Sequence, residues 1–247
     1  MKEMLTNKIL TGLRDADFAR LMPLLHPVSL STGERLSEAG DAVPFIYFPE
    51  SCVISCLANM QDGKSAEVGM IGSEGLADIT GLVKSRPVIH SLSVSIGGSA
   101  LRVRKDDLER EMLRSEGLQQ SLLGYAAEYV TQLYQRCACA IFHLTEQRFA
   151  VWLLLLTDRT DEAVVQITQE RIADHLGVRR AGVTVVALHM QAAGAISYKR
   201  GNLRIDNREI LEAMACECYG TLAVRRHQPT YVPDNQYARG QTKNLYP

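Results

Sequence analysis

The chain has 247 residues, 46% of them hydrophobic and 22% charged, with a formal net charge of −1, the balance of an ordinary globular protein with one large or two modest cores. The N-terminal MKEMLTNKILTGLRDADF is charged throughout and does not resemble a secretory signal, so none is expected, and the longest apolar run, Ala150–Leu156, is far too short to span a bilayer. The expected setting is cytoplasmic, with no membrane partner.

Leu5–Leu25 carries apolar residues at 9, 10, 13, 18, 21, 22, 24 and 25, which predicts one or two short helices. From Pro27 to about Val103, short β-rich runs (Val28–Leu30, Phe45–Phe48, Val53–Leu57, Glu67–Met70, Leu92–Ile96, Ala100–Val103) alternate with turn residues such as Gly33, Gly40, Asp62-Gly63 and Gly97-Gly98. That spacing predicts a sandwich or jelly-roll barrel. A longer loop, Gly72–Pro87, holds a short helix candidate at Gly75–Leu82. Lys105–Glu116 is a helix-prone link interrupted by Gly117. Leu118–Phe142 then reads as one long helix, with Leu122, Ala126, Tyr129, Leu133 and Ala140 close to a heptad seam. The seam fits either packing on the chain's own barrel or, the preferred reading, a homodimer. Thr145 is placed as the cap of a further helix, Glu146–Thr157, which contains Trp152.

Ile167–Ile205 is the most informative stretch. Thr168 suits an N-cap, Ile172, Ala173 and Leu176 form one apolar face, and Gly177 suits a left-handed helix end. A second apolar series, Val183, Val186, Ala187 and Met190, follows and stops at Gly194. Ala195–Tyr198 and Asn202–Ile205 alternate apolar and polar around Lys199-Arg200-Gly201, a hairpin with a basic tip. Helix, tight turn, helix and hairpin form a winged helix-turn-helix, whose second helix enters the major groove of double-stranded DNA. Thr168, Gln169, Arg179, Arg180, Gly182, Thr184, Lys199 and Arg200 are the residues placed against it. Between Thr168 and Arg204 six Lys/Arg face two acidic residues, a basic island in a chain of net charge −1.

Cys52, Cys56, Cys137, Cys139, Cys216 and Cys218 are read as buried or idle thiols. The two C-x-C pairs lack C-x-x-C spacing and no nearby His is seen to complete a zinc set, so neither a metal nor a cofactor is expected; a redox role through a trapped sulfenic acid stays open. His26 and His90 are lone histidines given no ligand role. No catalytic triad or paired carboxylates stand at a known motif spacing, so no enzyme is expected. Arg225–Pro247 has no apolar period and is expected to be mobile.

The order barrel, long helix, winged helix resembles the Crp/Fnr family of bacterial transcription regulators over nearly all of Leu5–Met214. The resemblance is carried by Thr145-Glu146-Gln147-Arg148 before Trp152-Leu153-Leu154, by Ile167–Val178 and Val183-Thr184, and by Leu30, Gly33, Leu36, Gly40, Asp41 and Ile46-Tyr47 near the start. It implies an α+β chain with a sensor barrel over residues 1–116, a dimerisation helix over 117–144, a DNA-binding domain over 145–215 and an extension over 216–247. It also implies a homodimer that reads a roughly palindromic operator and acts by touching RNA polymerase or blocking it.

Three departures bear on that implication. Where cyclic-nucleotide-binding members hold the phosphate with Gly-Glu and Arg-Ser pairs, this chain has Asp78-Ile79 and Ile89-His90. An aspartate there repels a phosphate, so cAMP binding in the family's manner is not expected. No arginine replaces the lost one, since Arg86, the candidate to reach in, is followed by Pro87, and the effector is left unidentified. An N-terminal cysteine cluster, as in iron–sulfur members, is missing. Of the family's Arg-Glu…Arg base-reading pattern only Arg180 remains, with Ala181 and Val185 at the other two positions. The alternative to a DNA-binding regulator is therefore a sensing or protein-interaction module of the same fold that has lost operator binding.

Overall fold

A computed structural model describes residues 2–82, 88–160 and 164–223. Two short helices open it, α1 (Lys8–Gly12), capped by the Asn7 side chain, and α2 (Asp15–Leu21). The sensor unit follows as seven strands, β1 (His26–Leu30), β2 (Arg35–Ser37), β3 (Phe45–Pro49), β4 (Val53–Asn59), β5 (Ser65–Ile71), β6 (His90–Ile96) and β7 (Gly98–Arg104). They form two antiparallel sheets, ordered β1-β7-β3 and β2-β6-β4-β5. The inward residues of both, among them Leu30, Ile46, Phe48, Ile54, Leu92 and Val94, are buried in one core. Every predicted run is a strand; β2 is the one missed, being three residues long with a single buried side chain. Only Ile79–Leu82 of the helix candidate at Gly75–Leu82 is helical, as a 3₁₀ turn.

The helix α3 (Lys105–Arg114) leads into α4 (Glu116–Phe142), the 27-residue helix, capped by Ser115 Oγ accepting from the Leu118 amide. Next come α5 (Thr145–Asp158), β8 (Val164–Gln166), α6 (Gln169–Leu176), α7 (Arg180–Ala192), β9 (Ile196–Lys199), β10 (Asn202–Ile205), α8 (Arg208–Met214) and α9 (Cys218–Leu222). Thr145 is the first residue of α5 rather than its cap; the Gln147 side chain accepts from the Leu144 amide instead. The wing gains a third strand from β8, in the order β8-β10-β9. A second core gathers Phe149–Leu156 of α5 with Ile172, Val183, Ala187, Met190, Ile196 and Leu203.

Three sequence expectations need correction. Leu122 and Tyr129, placed in a dimer seam, are buried in the chain's own sensor core, and Leu133 lines a cavity beneath the barrel. Tyr129 fits because its hydroxyl oxygen lies against Gly69; a Cβ there would stand 1.9 Å from it. The extension set to begin at 216 is ordered at first: Cys216, Cys218 and Leu222 are buried against α4 and α5. Its expected mobile part, Arg225–Pro247, lies outside the described residues. The third concerns metal ligands. His143, four residues after Cys139 at the end of α4, stands beside Cys216 and Cys218, so a histidine does join the thiols.

Candidate nucleic-acid interface and its sensor contacts

Local chemistry builds the helix-turn-helix. Thr168 caps α6 by accepting from the Arg171 amide, and Gly177 ends it at φ 64, the left-handed conformation that glycine adopts without a Cβ penalty. Gly177-Val178 then turns the chain so that Arg179, the N-cap position, and Arg180 open α7. Tyr198 from β9 donates to the Ile167 carbonyl at 2.7 Å, holding the wing beside α6. The wing turn, with φ of 53 at Arg200 and 80 at Gly201, presents Lys199 and Arg200 at its tip.

Thr168, Gln169, Arg180, Tyr198, Arg200 and Gly201 line a single open groove between α6, α7 and the wing. Thr184 donates to the Gln169 side chain at 2.8 Å, so two of the expected DNA-facing residues brace each other. Arg179, Arg180, Lys199 and Arg200 are exposed, and among the described residues none of the four forms an ion pair. The other two cations of the basic island are engaged. Arg204 pairs with Asp206 at 2.7 Å, and Arg171 reaches the Val94 carbonyl of the barrel at 3.5 Å. The exposed face of α7 also carries Ala181, Val185 and Leu188, the last two 68% and 60% exposed.

The back of α6 docks on the barrel. His175 Nδ1 lies 3.0 Å from the buried Glu67 carboxylate, and its ring stacks on Trp152 with centroids 5.2 Å apart. Arg136 of α4 meets the other Glu67 oxygen, Oε1, at 3.1 Å, and Ser55 donates at 2.5 Å to Oε2, the oxygen that faces His175. Burial alone would raise the Glu67 carboxyl, but His175, Arg136 and Ser55 outweigh it and hold it at about 2. A second buried pair, Arg159 Nε to Glu74 at 2.7 Å, ties the end of α5 to the barrel. Neither pair was foreseen. The available signal was a histidine on the apolar face of α6 and a glutamate inside a β-rich run.

All four positions matched to a cyclic-nucleotide site, Asp78, Ile79, Ile89 and His90, line one cavity of ≈ 270 Å³. Apart from the pair at one end its walls are mainly apolar, with Ala58, Val68, Ile71, Leu76 and Leu92 from the barrel and Leu133 from α4. Asp78, at a φ of 72, accepts from Thr80 and the Gly81 amide, and His90 Nε2 lies 3.4 Å from its carboxylate. Burial would raise the Asp78 carboxyl, but those donors pull it below its usual range. Asp78, and then Cys56, push His90 up to about 10, so it is cationic at neutral pH. Arg86 lies outside the described residues. On β5 a bulge at Val68 sets the cavity wall next to Glu67, the residue that grips α6.

Residues 147–214 match the Crp-like helix-turn-helix domain. No curated protein matches the chain by sequence. Many solved structures share its fold, among them the following three. One is a protein of Eubacterium rectale ATCC 33656 assigned to the Crp/Fnr family, 15% identical, covering 83% of this chain and 96% of that one with a TM-score of 0.68. The second is CLP of Xanthomonas campestris, described as a c-di-GMP-responsive global regulator, 14% identical, covering 78% and 100% with a TM-score of 0.65. The third is FixK2 of Bradyrhizobium japonicum, 15% identical, covering 78% and 98% with a TM-score of 0.64. The resemblance read from the sequence thus holds for the fold of Crp/Fnr regulators and for a Crp-like helix-turn-helix. Among the described residues no helix is long and apolar enough to cross a membrane.

Proposed function

We propose that this chain is a DNA-binding transcription regulator that works as a dimer and is set by a ligand of its barrel other than cAMP. The observation that carries the reading is the open groove at the mouth of α7. Arg180 and Arg200 line it with Thr168 and Gln169, the exposed Arg179 and Lys199 are their neighbours in the chain, and among the described residues none of these four cations forms an ion pair. Unpaired cations release phosphate counterions on binding, and an arginine at the first turn of a recognition helix can hold guanine through two hydrogen bonds. Gly182 lets the helix approach closely, and the exposed Ala181, Val185 and Leu188 suit thymine methyl groups.

A dimer follows from α4. Leu123, Ala127, Val130, Tyr134, Cys137 and Ile141 recur at spacings of four and three, and all six are exposed. This series, one residue on from the seam expected, is the face we assign to the second copy. Ala126, half-buried, and Ala140, exposed, flank it.

The cavity suits a small, mainly apolar ligand. A ligand there would press on Val68, Tyr129 and Leu133, neighbours of the Glu67–His175–Arg136 grip, and would shift the docking of α6 only if it favours one arrangement over the other. Contact with RNA polymerase belongs to the same reading of a regulator.

A gel shift with the chain's own promoter region tests the proposal. The specific band should survive excess random duplex. Equal loss to specific and random competitor would instead favour the second reading, a protein-interaction module, for which the exposed Val185 and Leu188 are the supporting observation.

A further inference from the structure

The end of α4 and the turn before α9 bring together four side chains that the proposed function does not use. Cys139 and His143 stand one helical turn apart, and Cys216 and Cys218 reach them from the far end of the DNA-binding unit. Their ligand atoms all lie within 4.8 Å of one another.

The geometry points to a zinc(II) site of the Cys₃His type at these four residues. Zn–S bonds of about 2.3 Å at the tetrahedral angle set two sulfurs about 3.8 Å apart, and a sulfur and an imidazole nitrogen about 3.6 Å apart. Here Cys139 Sγ and Cys216 Sγ are 3.6 Å apart, and Cys218 Sγ and His143 Nδ1 are 3.5 Å apart. The set is too tight for a polynuclear iron–sulfur cluster, whose cysteines bind different irons. Three sulfurs and one imidazole are a soft donor set that selects zinc over magnesium or calcium.

The surroundings are those of a metal site. His143 turns Nδ1 to the thiols while its other nitrogen, Nε2, lies 3.2 Å from the Glu217 carboxylate, the orientation that fixes a metal-bound imidazole. Gln135 donates to Cys218 Sγ at 3.0 Å, which would stabilise a thiolate. The three cysteines are buried and His143 is half-buried, so a bound ion is shielded from bulk water.

The site also has a place in the architecture. It sits where α4 hands over to α5, and it ties that corner to α9 across 77 residues of sequence. A metal there would fix the angle between the long helix and the winged unit, so loading would reach DNA binding through the junction of α4 and α5.

Metal analysis of the full-length protein, purified without chelators under reducing conditions, tests this. We expect about one zinc per chain. A Cys139→Ser/Cys216→Ser pair should lose it, and Cys52→Ala, remote in the barrel, should keep it. Two further measurements stand beside it that do not depend on the double variant's folding. His143→Ala should bind zinc more weakly while keeping its helical circular dichroism. Wild-type protein reloaded with cobalt should show the strong visible bands of tetrahedral thiolate coordination. No metal retained after incubation with zinc and desalting, zinc retained by the double variant, or a Cys139–Cys216 disulfide under reducing conditions would each overturn the assignment.

Discussion

Arg180 stands alone as a long cationic side chain on the first turn of α7, with no acidic partner among the described residues and with Thr184 already bonded to Gln169. Truncating it to alanine should weaken operator binding by about 10- to 100-fold, the effect of about 1–3 kcal/mol for a bidentate base contact, and should relax preference at one base pair per half-site. Fluorescence anisotropy on a set of single-base operator variants reads both effects; a uniform loss across the set would make Arg180 a phosphate contact instead. A second residue-scale expectation concerns pH. His90 is raised from 6.5 to about 10 by Asp78, so its pairing contributes fully below pH 6.5 and is lost as pH rises toward 10. Thermal unfolding should therefore soften over that window in the wild type, and Asp78→Asn should flatten the dependence. Equal pH profiles for the two proteins would refute the pair. The cap residues Thr168 and Gly177 were legible in the sequence because their chemistry is local, needing only the helix they bound. The Glu67–His175 pair was not, since its partners are far apart in the chain and neither residue type announces the other.

At the scale of the element, α4 carries two stripes at the same four-and-three spacing, one starting at Leu122 and the other at Leu123. The sequence alone gives no ground for choosing between them. What decides is the barrel: Gly69 leaves room for Tyr129, so the Leu122 stripe turns inward and the Leu123 stripe faces out. Substitutions in the two stripes should therefore have opposite outcomes. Val130→Asp with Tyr134→Asp should convert a dimer to a folded monomer in sedimentation. Leu122→Ala should stay dimeric but lose about 2–5 kcal/mol of stability by leaving a cavity in the core. A dimer that survives the first pair of changes would move the interface elsewhere. The same limit explains the wing. Its hairpin was readable from Lys199-Arg200-Gly201, but β8 joins it by a pairing with β10 across some forty residues, which no local pattern encodes.

At the scale of the whole molecule, and among the described residues, the winged unit meets the sensor through buried carboxylates: Glu67 faces His175 of α6 and pairs with Arg136 of α4, and Glu74 pairs with Arg159 at the end of α5. Removing one partner of such a pair leaves a buried charge uncompensated, at a cost of about 3–5 kcal/mol. Glu67→Gln should therefore loosen α6 from the barrel. Amide exchange should quicken over residues 169–176 while β6, in the barrel core, stays protected. Unchanged exchange in α6 would show that the grip does not hold the two units together. The barrel, long helix and winged helix were readable as an order of textures, whereas the docking of one on another depends on charges that meet only in three dimensions.

The central claim is that the groove between α6, α7 and the wing reads DNA, twice, through a dimer. Selection of duplexes from a random library by the full-length protein tests it most directly. The account predicts enrichment of an inverted repeat whose half-sites lie about one helical turn apart, roughly 10 base pairs centre to centre, with binding that weakens steeply as salt rises. Enrichment of no sequence, or of a single unrepeated half-site, would contradict it.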